Sequence, residues 1–486
     1  MSDQDRRNKL QNLFRLENRY NNFGEVLNAV LVHGFRCHSQ TFIEFESPIT
    51  AFCGLNGTGK STLLQILACA YQNPDKPEER YYIKDFIVTG TLDPEPFSSD
   101  ANVEFFYHQE DRSRKSKDLY RDVARKRWQG YRKQPSRSVY FAGIGLYLPR
   151  IEKRDFIVQN ASKIKISNTK AIPERSKSWI SKVLSCSYDA VNSHIVEHNT
   201  RQGEIVTLTR YGATYSETHM GYGEGRLQHI IHDLETLPRK SLVILEEPET
   251  SLHPSAQYEL GSYLVDVCID RGHQLFISTH SKYLLTALPT ESRVYLERTP
   301  NGLRAHPKIS TSQAVSLMTG GRDKALHILV EDDVAEAVLT ELLRRGDQTF
   351  LKVVKVHIGG DTDILQKTMK IMNEAHLPVI AVRDGDKQGN VRENIFKLPG
   401  DLPPEKELFR SLSVQNLLRE KYGVEVNDFL AGMYQLDHHK WLDNLAALVQ
   451  MSRSALIQEA AKAYVYGLPE NDVILLAESL KGTLRI

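Results

Sequence analysis

Two kinds of apolar pattern recur along this chain. Short continuous runs, at 49–53, 241–245 and 274–278, have the length and residue types of strands buried on both faces. Over 61–70, 227–234 and 256–270 the apolar positions return with a helical period, which predicts amphipathic helices. Residues 27–45 read as paired strands on either side of Gly34, and 81–108 as further strands broken at Gly90, Pro94 and Pro96. Residues 1–25 read as a short polar helix, 139–148 as a strand, 176–184 as a helix and 204–215 as a hairpin. No long heptad run interrupts this order, so no extended coiled-coil arm is expected. After Gly320-Gly321 the pattern becomes strand–helix–strand–helix–strand, over 325–330, 335–344, 352–358, 363–375 and 378–382. That alternation builds a small parallel sheet under right-handed crossovers. Residues 397–486 open on a proline-rich turn and are helical afterwards, with Trp441, Leu445 and Leu448 on one stripe expected to pack in a core.

Composition changes this picture little. A chain of 486 residues with 41% hydrophobic and 25% charged residues has ample core for several domains. Five scattered cysteines without a C-x-x-C pair point to a reducing compartment, and no disulfide framework or structural zinc is expected. With no signal-like N-terminus and no apolar run near the ~20 residues that span a bilayer, a cytoplasmic protein without membrane contact is expected. The net charge of +1 means that any nucleic-acid site must be local. One local concentration exists. Between Arg112 and Arg137, basic residues including Arg114, Lys115, Lys117, Arg121, Arg125, Lys126 and Arg127 interleave with Tyr120, Trp128 and Tyr131. The run suits phosphate contacts with base stacking; a solvated insertion is the competing reading.

Candidate chemistry starts at Gly54-Leu55-Asn56-Gly57-Thr58-Gly59-Lys60-Ser61, which fits G-x-x-x-x-G-K-[ST] between a strand and a helix. Backbone N–H groups of such a loop turn inward around an anion, and the helix N-terminus adds partial positive charge. Asn56, Gly57, Thr58, Gly59, Lys60, Ser61 and Thr62 are therefore expected to hold ATP, with Ser61 on Mg²⁺. Gly221-Tyr222-Gly223-Glu224-Gly225 opens a later helix and makes Gly223 and Glu224 a second candidate anion site. The run 241–245 ends in Glu246-Glu247-Pro248-Glu249; Glu246 is assigned to the metal and Glu247 to the general base. The strand at 274–278 ends in Thr279-His280, placing His280 to meet the γ-phosphate or the attacking water.

That order resembles the ABC-type ATPase head over roughly residues 25–300: Walker A, signature turn, Walker B, D-loop and switch histidine. The string E-E-P-E-x-x-L-H-P is its most specific part. The resemblance implies that two heads sandwich two ATP molecules, with the signature turn capping the partner's γ-phosphate, so this single head should form a homodimer or higher oligomer. Two features depart from the family. Gly221 and Tyr222 stand where serine and glycine are usual, and no Q-loop glutamine can be placed.

In the second half, acidic clusters close two predicted strands: Glu331-Asp332-Asp333 and Asp384-Gly385-Asp386. Ligands gather at such strand ends in open α/β sheets. Glu331, Asp384 and Asp386 make an oxygen-only set suited to Mg²⁺ or Mn²⁺, and such ions can activate a water against a phosphodiester. The strings L-V-E-D-D, I-G-G and V-R-D-G-D resemble the Toprim fold. An ABC-type head followed by Toprim resembles the overcoming-lysogenization-defect (OLD) family of ATP-dependent endonucleases, whose relatives include nucleases of bacterial antiphage systems such as Gabija and some retrons. The resemblance implies Glu331 as general base or metal ligand, and Asp384 and Asp386 as metal ligands. Asp332 replaces a usual glycine, and Ala335 stands where an acid is frequent; Asp333 and Glu336 are the candidate substitutes. A late lysine acts on the scissile phosphate in the family. Lys481 is the candidate, with an ordinary surface lysine as the alternative.

The expected fold is α/β: an ABC-type ATPase head at 1–322, with a basic insertion near 109–138 and a possible dimerisation insertion near 150–215, then a Toprim nuclease domain at 323–486. The expected function is an ATP-hydrolysing, metal-dependent DNA endonuclease in antiphage defence, with an operon-encoded partner possible. The alternatives are an ATPase sensor or scaffold whose degenerate Toprim domain controls a separate effector, and a DNA-repair ATPase.

Overall fold

In a computed structural model of the chain, which describes residues 2–74, 80–125, 127–148, 150–433 and 436–485, β1 (Leu27–Phe35) and β2 (His38–Glu44) pair antiparallel and lead into β3 (Ile49–Cys53). Every residue of β3 is buried, as its unbroken apolar run requires. β4 (Phe97–His108), β5 (Arg114–Asp122) and β6 (Arg127–Gln129) extend the first pair into an antiparallel sheet of order β2-β1-β4-β5-β6. β7 (Val139–Ala142) belongs elsewhere, while β8 (Lys165–Ala171), β9 (Ala190–His198), β10 (Arg201–Arg210) and β11 (Ala213–Ser216) form a separate antiparallel sheet.

β12 (Leu242–Glu246) and β13 (Gln274–Ser278) are also buried throughout. With β14 (Arg293–Thr299) and β15 (Gly302–Pro307) they complete a sheet of order β15-β14-β3-β13-β12-β7, parallel except for its β15 edge. Gln274 joins the two large sheets: its buried amide accepts from Leu27 N–H at 3.0 Å and donates to Leu27 O at 2.8 Å. All of this lies in one unit, Met1–Thr311; a second comprises Ser312–Ile486.

The second unit is built on β16 (Leu326–Val330), β17 (Val354–Ile358), β18 (Val379–Arg383) and β19 (Ile395–Lys397), all parallel, in the order β17-β16-β18-β19. Alternate residues feed two cores. Ile328, Val330, Ile380 and Val382 face the larger one with helices Asp333–Gly346 and Arg453–Gly467; Leu329 and Ala381 face the helix Thr362–Glu374. This register sets the C-terminal ends of β16 and β18 side by side.

Several expectations need correction. Residues 81–96 are not strands: a helical turn, Ile83–Phe86, precedes an irregular stretch. The strand expected over 139–148 ends at Ala142, and Ile144–Leu146 is a 3-10 turn. Leu448 is exposed rather than in the stripe with Leu445. The basic segment forms the β5-β6 edge of the first sheet. Trp128 stacks on Phe35 at 5.2 Å, and the Tyr131 hydroxyl accepts from Ile83 N–H at 3.0 Å. Arg137 is buried and donates to Glu25 O and Ser241 O. Two of the three aromatic rings read as base-stacking platforms are thus packing groups, whereas Tyr120 remains half exposed. Lys126 lies outside the described residues.

Candidate functional sites

The phosphate loop is closed by its own atoms. Gly59 sits at φ 78°, and a Cβ there would come within 2.6 Å of Cys37 Sγ and His38 Nε2, so only glycine fits. Lys60 begins the helix Lys60–Ala68 and is almost fully buried; its Nζ donates to Gly54 O at 3.0 Å and Leu55 O at 2.9 Å. Burial draws its pKa down, and the negative charge of Glu247 opposes that shift. Residues Asn56 to Thr62 line a cavity of about 550 Å³ together with Glu247 and His280.

Parallel pairing supplies the other wall. Glu246 is level with Ser278, and Ser278 with Phe52, so the ends of β12, β13 and β3 form one row. Glu247 lies just beyond, at φ 43°, with its N–H held by Ser278 O at 3.0 Å. His280 Nε2 is 3.8 Å from Glu247 Oε1. Burial, then the Lys60 charge, lowers the His280 pKa and favours its neutral form. Buried Glu249 accepts from His280 N–H at 3.1 Å and also receives the Thr279 hydroxyl, which fixes the switch turn. Glu246 is nearly buried and its Oε1 has no partner among the described residues. An orphaned carboxylate oxygen at this position fits a hydrated Mg²⁺ shared with Ser61.

Residues 26–120 and 108–285 match the family model described as the AAA ATPase domain, which covers more than half of the chain. The chain belongs to the AAA ATPase domain family. No curated protein matches it. Among solved structures it is similar to the SMC head domain from Thermotoga maritima, at 14% identity over 58% of this chain and 98% of that one, TM-score 0.35. It is also similar to the Smc head domain with an extended coiled coil bound to the C-terminal domain of ScpA, derived from Pyrococcus furiosus, at 11% identity over 61% and 99%, TM-score 0.38. Within the AAA ATPase domain, the nucleotide cavity has residues that motif reading missed: Arg36, Cys37 and Arg298. Arg36 and Cys37 stand in the turn between β1 and β2, and Arg298 comes from β14, which pairs with β3.

The candidate signature turn is not part of this cavity. Gly223 packs so tightly that a Cβ would lie 2.4 Å from Ser251 O, in the turn after Glu249. Glu224 accepts from the hydroxyls of Tyr188 at 2.5 Å and Tyr215 at 2.8 Å, which ties the start of the helix Tyr222–Thr236 to the sheet β8–β11. Within one chain, then, Gly223 and Glu224 reach no bound phosphate.

In the second unit the predicted carboxylates do converge. The Asp384 backbone and the charge of Asp386 both act on the Glu331 carboxyl, and Lys387 Nζ lies 3.8 Å from Asp386 Oδ2 in the same turn. Gly385 is obligatory in this turn, since a Cβ would press on Gly400 O at 2.9 Å. Burial, then the negative charges of Glu331, Asp332, Glu405 and Asp386, push the Asp384 carboxyl up to about 8. Glu331 and Asp332 are raised too, first by burial. Glu331 Oε1, Asp384 Oδ1 and Glu405 Oε2 are buried without a hydrogen-bond partner among the described residues. Crowded acids with orphaned oxygens and few cations are the arrangement that a hard divalent ion completes.

Two assignments change here. Asp333 is held in an ion pair with Arg453, which also binds Asp443 at 2.9 Å, so its neighbour Asp332 is the acid that acts on Asp384. Ala335 is fully buried and gives no ligand. Lys481 Nζ lies 2.6 Å from Asp347 Oδ2, at the end of the helix Asp333–Gly346. That helix begins beside Glu331 and is about 20 Å long, so Lys481 is not brought to the carboxylates. Glu405 went unnoticed because a single glutamate in a Pro-Pro turn has no motif around it.

Proposed function

We propose that this chain is an ATP-driven, divalent-metal-dependent DNA endonuclease with an ABC-type head and a Toprim nuclease domain. The observation that carries this reading is the meeting of Glu331, Asp384 and Asp386 at adjacent parallel strand ends, with buried oxygens left unpaired. Glu331, Asp384 and Asp386 would hold Mg²⁺ or Mn²⁺, which supplies charge stabilisation and an activated water for phosphodiester hydrolysis. In the head, Lys60 and the loop amides bind the triphosphate, Glu247 takes the proton of the attacking water, and neutral His280 orients that water. Nucleotide-dependent pairing of two heads, each presenting Gly223 and Glu224 to the other's phosphates, would then control cutting. Exposed Arg112, Lys115, Arg125 and Arg127 offer phosphate contacts to DNA. The resemblance to the OLD family supports antiphage defence as the setting.

A second reading is favoured by the engaged Asp333 and the buried Ala335, which leave the start of the helix Asp333–Gly346 poor in free acids. On that reading the domain is a degenerate scaffold, and the ATPase controls a separate effector. Plasmid cleavage with Mg²⁺ or Mn²⁺, with and without ATP, separates the two. Wild type should nick and Asp384→Ala should not, while ATPase activity stays. Equal cutting by both proteins would remove the nuclease assignment from this site, and no cutting by wild type would favour the scaffold.

A further inference from the structure

Beside the carboxylate centre stands a cluster of different composition. Glu405, in the first turn of the helix Pro404–Arg410, is 1% exposed. Its Oε1 is 2.9 Å from His439 Nδ1, and its Oε2 is buried without a partner among the described residues. His438 and His439 occupy a 3-10 turn capped by Asp437, with ring centroids 4.1 Å apart. One ligating atom from each of Glu405, His438 and His439 lies within 4.8 Å of the other two.

We propose that Glu405, His438 and His439 form a binding site for a zinc-class divalent ion, distinct in donor chemistry from the oxygen-only set of Glu331, Asp384 and Asp386. Two imidazoles and one carboxylate match Zn²⁺ or a neighbouring late first-row ion, whereas Mg²⁺ and Ca²⁺ select oxygen ligands. Three protein ligands leave a coordination position open, as catalytic zinc sites do. The buried geometry adds a second argument. A carboxylate sealed from water with one oxygen unpaired is costly. The ion would replace the proton shared by His439 and Glu405 and engage the oxygen that now has no partner. Asp437 Oδ1, 3.1 Å from His438 Nδ1, is placed to orient that ring from outside the cluster, a usual accompaniment of histidine ligands.

Position gives the site a consequence. The charge of Glu405 is felt by Asp332 and Asp384, and His439 feels Asp332 in turn. A dication on Glu405 therefore offsets part of the excess negative charge at the neighbouring centre. The proposal concerns ion binding alone and stands whether or not that centre cuts DNA.

The test uses the full chain, free of any histidine tag, stripped with EDTA, dialysed and titrated with Co²⁺ as a spectroscopic stand-in for Zn²⁺. One Co²⁺ per chain should give visible absorption bands that Zn²⁺ displaces. His438→Ala and His439→Ala should each weaken binding by about tenfold or more, whereas Asp386→Asn should leave the bands in place. Because His439→Ala also strips buried Glu405 of that partner, Glu405→Gln is the isosteric check: it should lose the bands while the metal-free protein unfolds no lower than wild type. Unchanged Zn²⁺ affinity in the His438→Ala His439→Ala double variant would overturn the proposal. So would failure of wild type to bind Zn²⁺ at stoichiometric concentration, which would leave a simple His439–Glu405 ion pair.

Discussion

In the nucleotide cavity the protein brings its own cation. Lys60 is buried, bonded to two loop carbonyls, and faced by Glu247 across the cavity. The strand ends of the second unit are arranged the other way: Glu331, Asp332, Asp384 and Asp386 gather with Glu405 nearby, and Lys387 is the cation that acts on Glu331. Both places sit at C-terminal ends of parallel strands, where convergent loops and open backbone make a site. The difference lies in what each must receive. The first receives an anion and sets Arg36, Lys60 and Arg298 against Glu247 beforehand, so removing its lysine should remove affinity. On the proposed reading the second receives a cation, and it carries crowded acids beforehand, so removing one should remove affinity and relieve repulsion together.

Lys60→Ala tests the first half of this contrast most severely. ATP affinity should fall by at least about 100-fold, a loss of roughly 3 kcal/mol in line with a buried charge pair to phosphate. Mn²⁺ binding by the second unit should stay as in wild type. Calorimetric titration of both ligands reads the two outcomes in one preparation, and a parallel loss of Mn²⁺ would mean that the centres are not electrostatically independent. Glu247→Gln is the next effect in size. ATP should still bind, because Lys60 and the loop are intact, and turnover should drop by about 10²–10³-fold from loss of the general base. If turnover persists within tenfold, Glu247 is not the base and neutral His280 becomes the group to examine.

How far these sites could be read beforehand follows from how local they are. The phosphate loop, Glu246, Glu247 and His280 each occupy a strand end whose apolar run is visible in the chain, so their order alone was legible. Arg36 and Arg298 were not, because a turn between β1 and β2 and the pairing of β14 with β3 bring them to the cavity. The choice between Asp332 and Asp333 was likewise invisible. Asp332 caps the helix by accepting from Ala335 N–H at 2.8 Å, and the next residue, Asp333, is claimed by Arg453. The basic run shows the limit of composition as a guide. Strand pairing turned Trp128 inward against Phe35 and Phe97, and charge counting carries no information about which side of a strand a ring takes.

The second half of the contrast has its own, smaller test. Asp384→Asn keeps the shape of a nearly buried side chain and removes a carboxyl that burial and the repulsion of four neighbouring acids hold mostly protonated at neutral pH. Without metal, relief of that repulsion should stabilise the second unit by about 2 kcal/mol or more, since a carboxyl driven this far up on folding costs free energy at neutral pH. For a unit of this size that corresponds to about 4–8 °C in its unfolding temperature. Calorimetry identifies the relevant transition as the one that Mn²⁺ raises in wild type. In Asp384→Asn this transition should start higher and no longer respond to Mn²⁺, so the two proteins exchange order as the ion is added. A variant less stable than wild type without metal would mean that the acids are held by bonds rather than strained by charge, and the two centres would then differ in ligand but not in design.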